Sequence, residues 1–258
     1  MNKINPHQLY EKANLDFLAG KIGLFLKKSS PAGYKLLRKL KTFDMEQYYE
    51  IYEKKGIPRL KFYSWSIKAY EARILAREIK RIKPKRILII GGYKGLSTLI
   101  VAKESLGRAK IYCIDPFFDD YIGGGNYYSV YKKITDDYNK KNQIITLKGF
   151  ATIPGKEVFT HTKNSKEYFS PESWFKIDEI KEKVDLVFID GDHQRQTVLV
   201  DFIKSYKILD EKGVILLHDI VRWFDELKWV VNYVNEVGSL EAEEYRGGED
   251  GMLVVRKK

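Results

Sequence analysis

Residues 86–118 read "RILIIGGYKGLSTLIVAKESLGRAKIYCIDPFF". A run of β-branched residues ends in a glycine-rich turn, helical spacing follows, and a second β-branched run ends on Asp115. Working outward, the same alternation continues. "IITLKGF" near 144, "VDLVFID" (184–190) and "GVILLHD" (213–219) read as strands. Helical patterns lie between them at 127–141, "QTVLVDFIKSYKIL" and "VRWFDELKWVVNYVNEV". Upstream, "SIKAYEARILAREIKRI" (66–82) is an amphipathic helix ended by Lys83-Pro84, and the chain closes with "LEAEEYR", two glycines and "GMLVVRK", a hairpin-like finish. Apolar strands alternating with helices specify a mostly parallel, doubly wound α/β sheet covered on both faces. Ligands collect beyond the carboxyl ends of such strands. The loops after Ile90, Ile114, Ile189 and Leu217 carry Gly91–Gly95, Asp115, Asp190-Gly191-Asp192-His193 and His218-Asp219.

The turn Gly91-Gly92-Tyr93-Lys94-Gly95 selects among cofactors. A phosphate-binding P-loop requires Gly-Lys-Ser/Thr, and no Gly-Lys pair precedes Ser97 or Thr98. A dinucleotide turn needs a middle glycine so that a diphosphate can approach the backbone, and Tyr93 stands there. Asp115, at the end of the next strand, is placed to accept ribose hydroxyls. An adenosine-like ligand without phosphates points to S-adenosylmethionine.

"IGGYKGLST", "IDP", "VDLVFIDGDH" followed by Asp201, and "GVILLHDI" resemble the class I S-adenosylmethionine-dependent methyltransferases, in particular methyltransferase family 24. The resemblance covers about 66–258, and "GGEDGMLVV" resembles that family's last hairpin. It implies a Rossmann-like fold with a C-terminal antiparallel hairpin. It assigns Gly91, Gly92, Tyr93 and Gly95, with Ser97 and Thr98, to the methionine end of the cofactor. Asp115 goes to the ribose, and Asp190 lies beside the sulfonium and the acceptor. The adenine block falls at Gly149-Phe150 or at Asn164-Ser165. One departure stands out: the acid that usually ends the first strand is replaced by Ile89, which keeps a non-catalytic cofactor-binding scaffold among the alternatives.

Methyl transfer to a hydroxyl needs alignment and removal of a proton. Two arrangements fit Asp190, Asp192, His193, His218 and Asp219. In one, His193 or His218 is the general base, beside Asp190. In the other, Asp190 and Asp219, with His218 or Asp192, hold Mg²⁺ or another divalent ion, which acidifies a bound hydroxyl. Metal-dependent O-methyltransferases of the catechol type carry carboxylates at these two strand ends, and their third ligand position is Ile220 here. Arg195 is a further candidate partner for either acid. The expected activity is O-methylation of a small-molecule, sugar or glycolipid hydroxyl.

The 258 residues fit two regions: a basic helical N-terminal extension (1–62) and the methyltransferase domain (63–258). Net charge is +11, of which residues 1–62 carry +7. Residues 17–43 hold seven basic side chains and no acidic one, with apolar residues at helical spacing. Such a helix either lies on an anionic membrane surface or packs on the main domain with its lysines in solvent. RNA methylation is the alternative suggested by charge. Against it, the basic residues concentrate outside the catalytic region, and the Asn/Asp-Pro-Pro-aromatic motif of amino-group methylases is absent: Asp115-Pro116-Phe117-Phe118 is only superficially similar and follows the second strand, not the fourth. The single Cys113 excludes a disulfide framework, and no apolar run reaches the ~20 residues of a bilayer span. The expectation is a soluble cytoplasmic enzyme, peripheral to a membrane if 17–43 binds one, with a homo-oligomer left open.

Overall fold

In a computed structural model of the chain, the structure describes residues 43–58, 66–118, 126–139, 143–155 and 170–258. The basic run 17–42 and Asn164-Ser165 lie outside the described residues. Six α-helices are present among the described residues: α1 (Glu46–Lys54), α2 (Ala69–Ile82), α3 (Leu96–Glu104), α4 (Tyr127–Asn139), α5 (Arg195–Ile208) and α6 (Phe224–Glu236). Seven strands, β1 (Arg86–Ile90), β2 (Lys110–Asp115), β3 (Gln143–Lys148), β4 (Val184–Ile189), β5 (Leu209–His218), β6 (Leu240–Tyr245) and β7 (Met252–Lys257), form one sheet. Their order is β3-β2-β1-β4-β5-β7-β6. Strands β1 to β5 pair in parallel, and β7 runs antiparallel to both β5 and β6. This is the Rossmann-like methyltransferase arrangement, and its switch point falls between β1 and β4.

The continuous apolar strands are explained by burial on both faces. Ile87 and Ile89 of β1 point into one core with Cys113, Phe188 and Leu216; Leu88 and Ile90 point into the other with Ile114, Ile189 and Leu217. Helices α1 to α4 cover the first face and α5 and α6 the second. On α5, Thr197, Val198, Asp201, Phe202 and Ser205 are buried, the i, i+3/i+4 stripe of a helix laid on a sheet. Helix α2 stops at Lys83, which adopts φ +50, just before Pro84. The buried Glu78 ties α2 to β7 through Arg256, with Arg77 and Arg81 on the same carboxylate.

Phe43–Pro58, the described part of the N-terminal region, packs on the same core. Tyr48, Tyr49 and Tyr52 are buried, and the Tyr52 hydroxyl donates to Lys94 O at 2.8 Å. Two boundaries differ from the sequence reading. Strand β5 begins at Leu209, four residues early, because Leu209 pairs with Val184 before an irregularity at 210–213. Helix α6 begins at Phe224, because 219–222 form a turn held by Val221 N and Arg222 N on Asp250 O.

Candidate active site

The carboxyl ends of β1, β2, β4 and β5 surround a cavity of about 600 Å³, within the range of small-molecule sites. Its apolar lining includes Ile90, Ile114, Phe118, Phe150, Ala151 and Ile153. The four loops singled out in the sequence supply Asp115, Asp190, Asp192, His193, His218 and Asp219, and further polar groups, among them Thr152, Asp201 and Asp250, come from other segments.

The glycine turn is fitted to its neighbours. Gly91 has φ +98, and a Cβ there would lie 2.0 Å from Asp190 O, so β1 and β4 approach as closely as they do only with glycine. A Cβ on Gly92 would meet Cys113 Sγ at 2.6 Å. Asp115 closes the turn: Oδ2 accepts from Gly92 N and Tyr93 N at 2.8 Å each, and Oδ1 from Phe117 N at 2.5 Å. Burial raises the Asp115 pKa against these three donors. The same carboxylate lines the cavity, so it both fixes the turn and faces a ligand. Gly91 and Tyr93 form part of the wall; Gly92 and Gly95 shape the turn behind it. Ser97 and Thr98 are buried below, with Thr98 Oγ1 on Cys113 Sγ at 3.6 Å, and neither reaches the cavity. Gly149 and Phe150 do line it. The position usually held by an acid, Ile89, is fully buried in the core.

At the other side, Asp190, His193, His218 and Asp219 meet. His193 Nε2 lies 2.7 Å from Asp219 Oδ2; His218 Nδ1 lies 3.0 Å from Asp190 Oδ1 and 3.1 Å from Asp219 Oδ2. Asp219 adopts φ +66, a conformation that Asp tolerates better than most residues, and its N–H is held by Gly251 O. Burial alone would raise the Asp219 pKa, but hydrogen bonds from His193 and His218 outweigh it and hold it well below the carboxylate range. Burial works against the charged form of His193, and the Asp219 contact overcomes it, so its pKa is raised; His218 is raised strongly, against burial, by Asp190 and Asp219. Asp190 is raised by its burial. The His193 ring also stacks on Trp223 (centroids 5.2 Å apart, 16° between planes).

Three placements correct or extend the sequence reading. Arg195 does not pair with Asp190 or Asp219: at the start of α5 its guanidinium lies 3.7 Å over the Trp229 ring of α6. The residues expected to hold Mg²⁺ do not fit that ion. The expected set is Asp190 and Asp219 with His218 or Asp192, but Asp192 instead accepts from Gly155 N and Gln194 N. It is His193 whose ligand atom lies with those of Asp190 and Asp219 within 4.8 Å of one another, whereas Mg²⁺ prefers oxygen donors and bound water. Here His218 Nδ1 sits between the two carboxylates and His193 Nε2 takes the other contact to Asp219, and Ile220, at the third ligand position of the catechol-type enzymes, is fully buried. Sequence reasoning also missed Thr152–Asp201. Thr152 Oγ1 donates to Asp201 Oδ1 at 2.5 Å in the cavity wall, and burial pushes the Asp201 pKa up to about 7. The signal was the family's Asp after "IDGDH"; its partner follows β3 and shares no local pattern with it.

The sequence profile of a family described as a methyltransferase domain (family 24) matches residues 88–220, just over half the chain. The chain belongs to the class I S-adenosylmethionine-dependent methyltransferases. A stretch of 89 residues of this methyltransferase is 34% identical to uncharacterized protein R132 of Acanthamoeba polyphaga mimivirus, covering 33% of this chain and 39% of that one. The chain thus spans well under half of that relative. Among solved structures, the SAH-bound Podospora anserina methyltransferase PaMTH1 superposes with a TM-score of 0.60 at 15% identity, over 90% of this chain and 96% of that one. The Bacillus cereus O-methyltransferase in complex with SAH gives 0.58 at 14%, over 87% and 96%. TomG of Streptomyces achromogenes, an O-methyltransferase in complex with SAM, gives 0.54 at 12%, over 85% and 92%. At these identities the likeness is one of fold.

Proposed function

We propose that this methyltransferase moves the methyl group of S-adenosylmethionine to a hydroxyl oxygen of a small molecule, with His193 as general base. The observation that carries the reading is the His193–Asp219 pair in the wall of the same cavity that the Gly91–Gly95 turn lines.

The residues present fit the cofactor. Tyr93 stands where a diphosphate would need glycine, and Asp115 faces the cavity from the ribose position. Seven acidic residues line the cavity, against one arginine and two histidines, in a chain whose net charge is +11. That local field suits a sulfonium cation and opposes a polyanion, which disfavours RNA as acceptor. Bound S-adenosylmethionine supplies an electrophilic methyl group and departs as a neutral thioether. Asp219 orients His193 through Nε2, which leaves Nδ1 to take the hydroxyl proton as the acceptor oxygen bonds to the methyl carbon. Trp223 fixes the ring plane and offers an aromatic wall to the acceptor.

The test is transfer from methyl-labelled S-adenosylmethionine to a panel of hydroxylated acceptors, read by mass spectrometry without added Mg²⁺. Labelled ether products in the wild type that vanish with His193→Ala support the reading. Cofactor binding with no transfer to any acceptor, or transfer that demands Mg²⁺, overturns it.

A further inference from the structure

Behind the cavity a second cluster involves the other nitrogen of His218. Glu71, in the first turn of α2, is fully buried; Asp250, in the β6–β7 loop, and His218 are nearly so, at 2% and 4% exposure. Their ligand atoms lie within 4.8 Å of one another. Glu71 Oε2 and His218 Nε2 are both buried without a hydrogen-bond partner. A carboxylate oxygen and an imidazole nitrogen left unpaired in the same place are costly unless something sits between them.

The surrounding backbone is built to bring the three together. Gly251 N donates to Glu71 Oε1 at 3.2 Å, Asp219 N to Gly251 O, and Val221 N to Asp250 O. A Cβ on Gly248 would fall 1.8 Å from Glu71 Oε1, so the loop can close over this carboxylate only with glycine there. Asp250 is already engaged on one side, with Oδ1 3.3 Å from Arg222 Nη1, and it also lines the cavity, which provides a route of entry.

We infer that Glu71, His218 and Asp250 form a binding site for one divalent cation of the Zn²⁺ class. Two carboxylates and one imidazole are the mixed oxygen and nitrogen donors such an ion accepts, about 2.0–2.2 Å from each, with a fourth position for water. His218 Nε2 is the ligand nitrogen. Its Nδ1–H then donates forward to Asp190 and Asp219, as ligating histidines commonly do to an outer carboxylate. The ion sits behind the reacting groups and anchors the imidazole that spaces the two acids. The inference stands on these contacts and is independent of the proposed activity.

The full chain, freed of metal by chelation and dialysis, is titrated with Zn²⁺ by calorimetry and with Co²⁺ by visible absorption. One equivalent should bind. Glu71→Gln and Asp250→Asn should each lose more affinity than the roughly 10–100-fold typical of an outer-shell partner, while His193→Ala binds as the wild type does. Two ligand variants are used so that a failure of one to fold leaves the other to decide. EDTA should lower the melting temperature of the wild type and leave that of Glu71→Gln unchanged. No Zn²⁺ binding by the wild type, or binding lost in His193→Ala and kept in Glu71→Gln, overturns the inference. Titration of S-adenosylmethionine in parallel separates this result from the cofactor reading.

Discussion

His193 Nε2 lies 2.7 Å from Asp219 Oδ2, and the contact holds the carboxyl ionised and the imidazole more basic than usual. Only the neutral imidazole accepts a proton, so the rate should rise with pH through an apparent pKa above 6.5. His193→Ala should lower the rate by about 10²–10⁴-fold and leave cofactor binding intact. Asp219→Asn should move the rising limb toward lower pH, because it removes the charge that raises the histidine. A pH-independent rate from 5 to 9, or an unimpaired His193→Ala enzyme, contradicts this role.

Gly91→Ala should be among the most damaging small changes in the chain. The added Cβ meets Asp190 O at 2.0 Å in a backbone conformation with φ +98. Overpacking and strain together should cost about 2–4 kcal/mol in urea denaturation. A stability equal to wild type would show that β1 and β4 are not so closely apposed.

Asp201 gives a pH signature. Its pKa is about 7 in the folded chain and 3.8 as an ordinary aspartate. Between those values the unfolded chain releases a proton that the folded chain keeps, so native stability falls as pH rises through this window. Asp201→Asn should therefore gain on the wild type above pH 7, by on the order of 4 kcal/mol, and hardly at pH 4. Thermal melts of both at pH 4.5 and 8 decide it; an equal difference at the two values contradicts the assignment.

Asp115→Ala should weaken S-adenosylmethionine binding by about 1.5–3 kcal/mol and also loosen the turn, since three backbone N–H groups lose their acceptor. Calorimetry and hydrogen exchange at 92–95 check the two effects; unchanged binding sinks the ribose role.

The sheet was legible because each parallel strand is apolar on both faces and bounded by turn residues. Strands β2 (Lys110–Asp115), β4 and the final pair were readable almost to the residue. The convergence of Asp190, His193, His218 and Asp219 followed from placing four loops at one end of that sheet. What stayed hidden depends on distant packing. Glu71 reads as an ordinary polar residue of an amphipathic helix, yet it is fully buried against a loop some 180 residues away. Arg195 reads as a partner for acids, but the first turn of α5 aims it at Trp229 of α6. The second role of Asp115, as the clamp of its own turn, is a matter of backbone direction that no spacing records.

Calorimetric titration of S-adenosylmethionine, with NAD as the control, is the most direct measurement of all, since it requires no knowledge of the acceptor. Saturable binding of one equivalent of S-adenosylmethionine and of its demethylated product, with no heat from NAD, is the predicted result. Binding of NAD, or no binding of S-adenosylmethionine, would contradict the assignment of the Gly91–Gly95 turn and of everything built upon it.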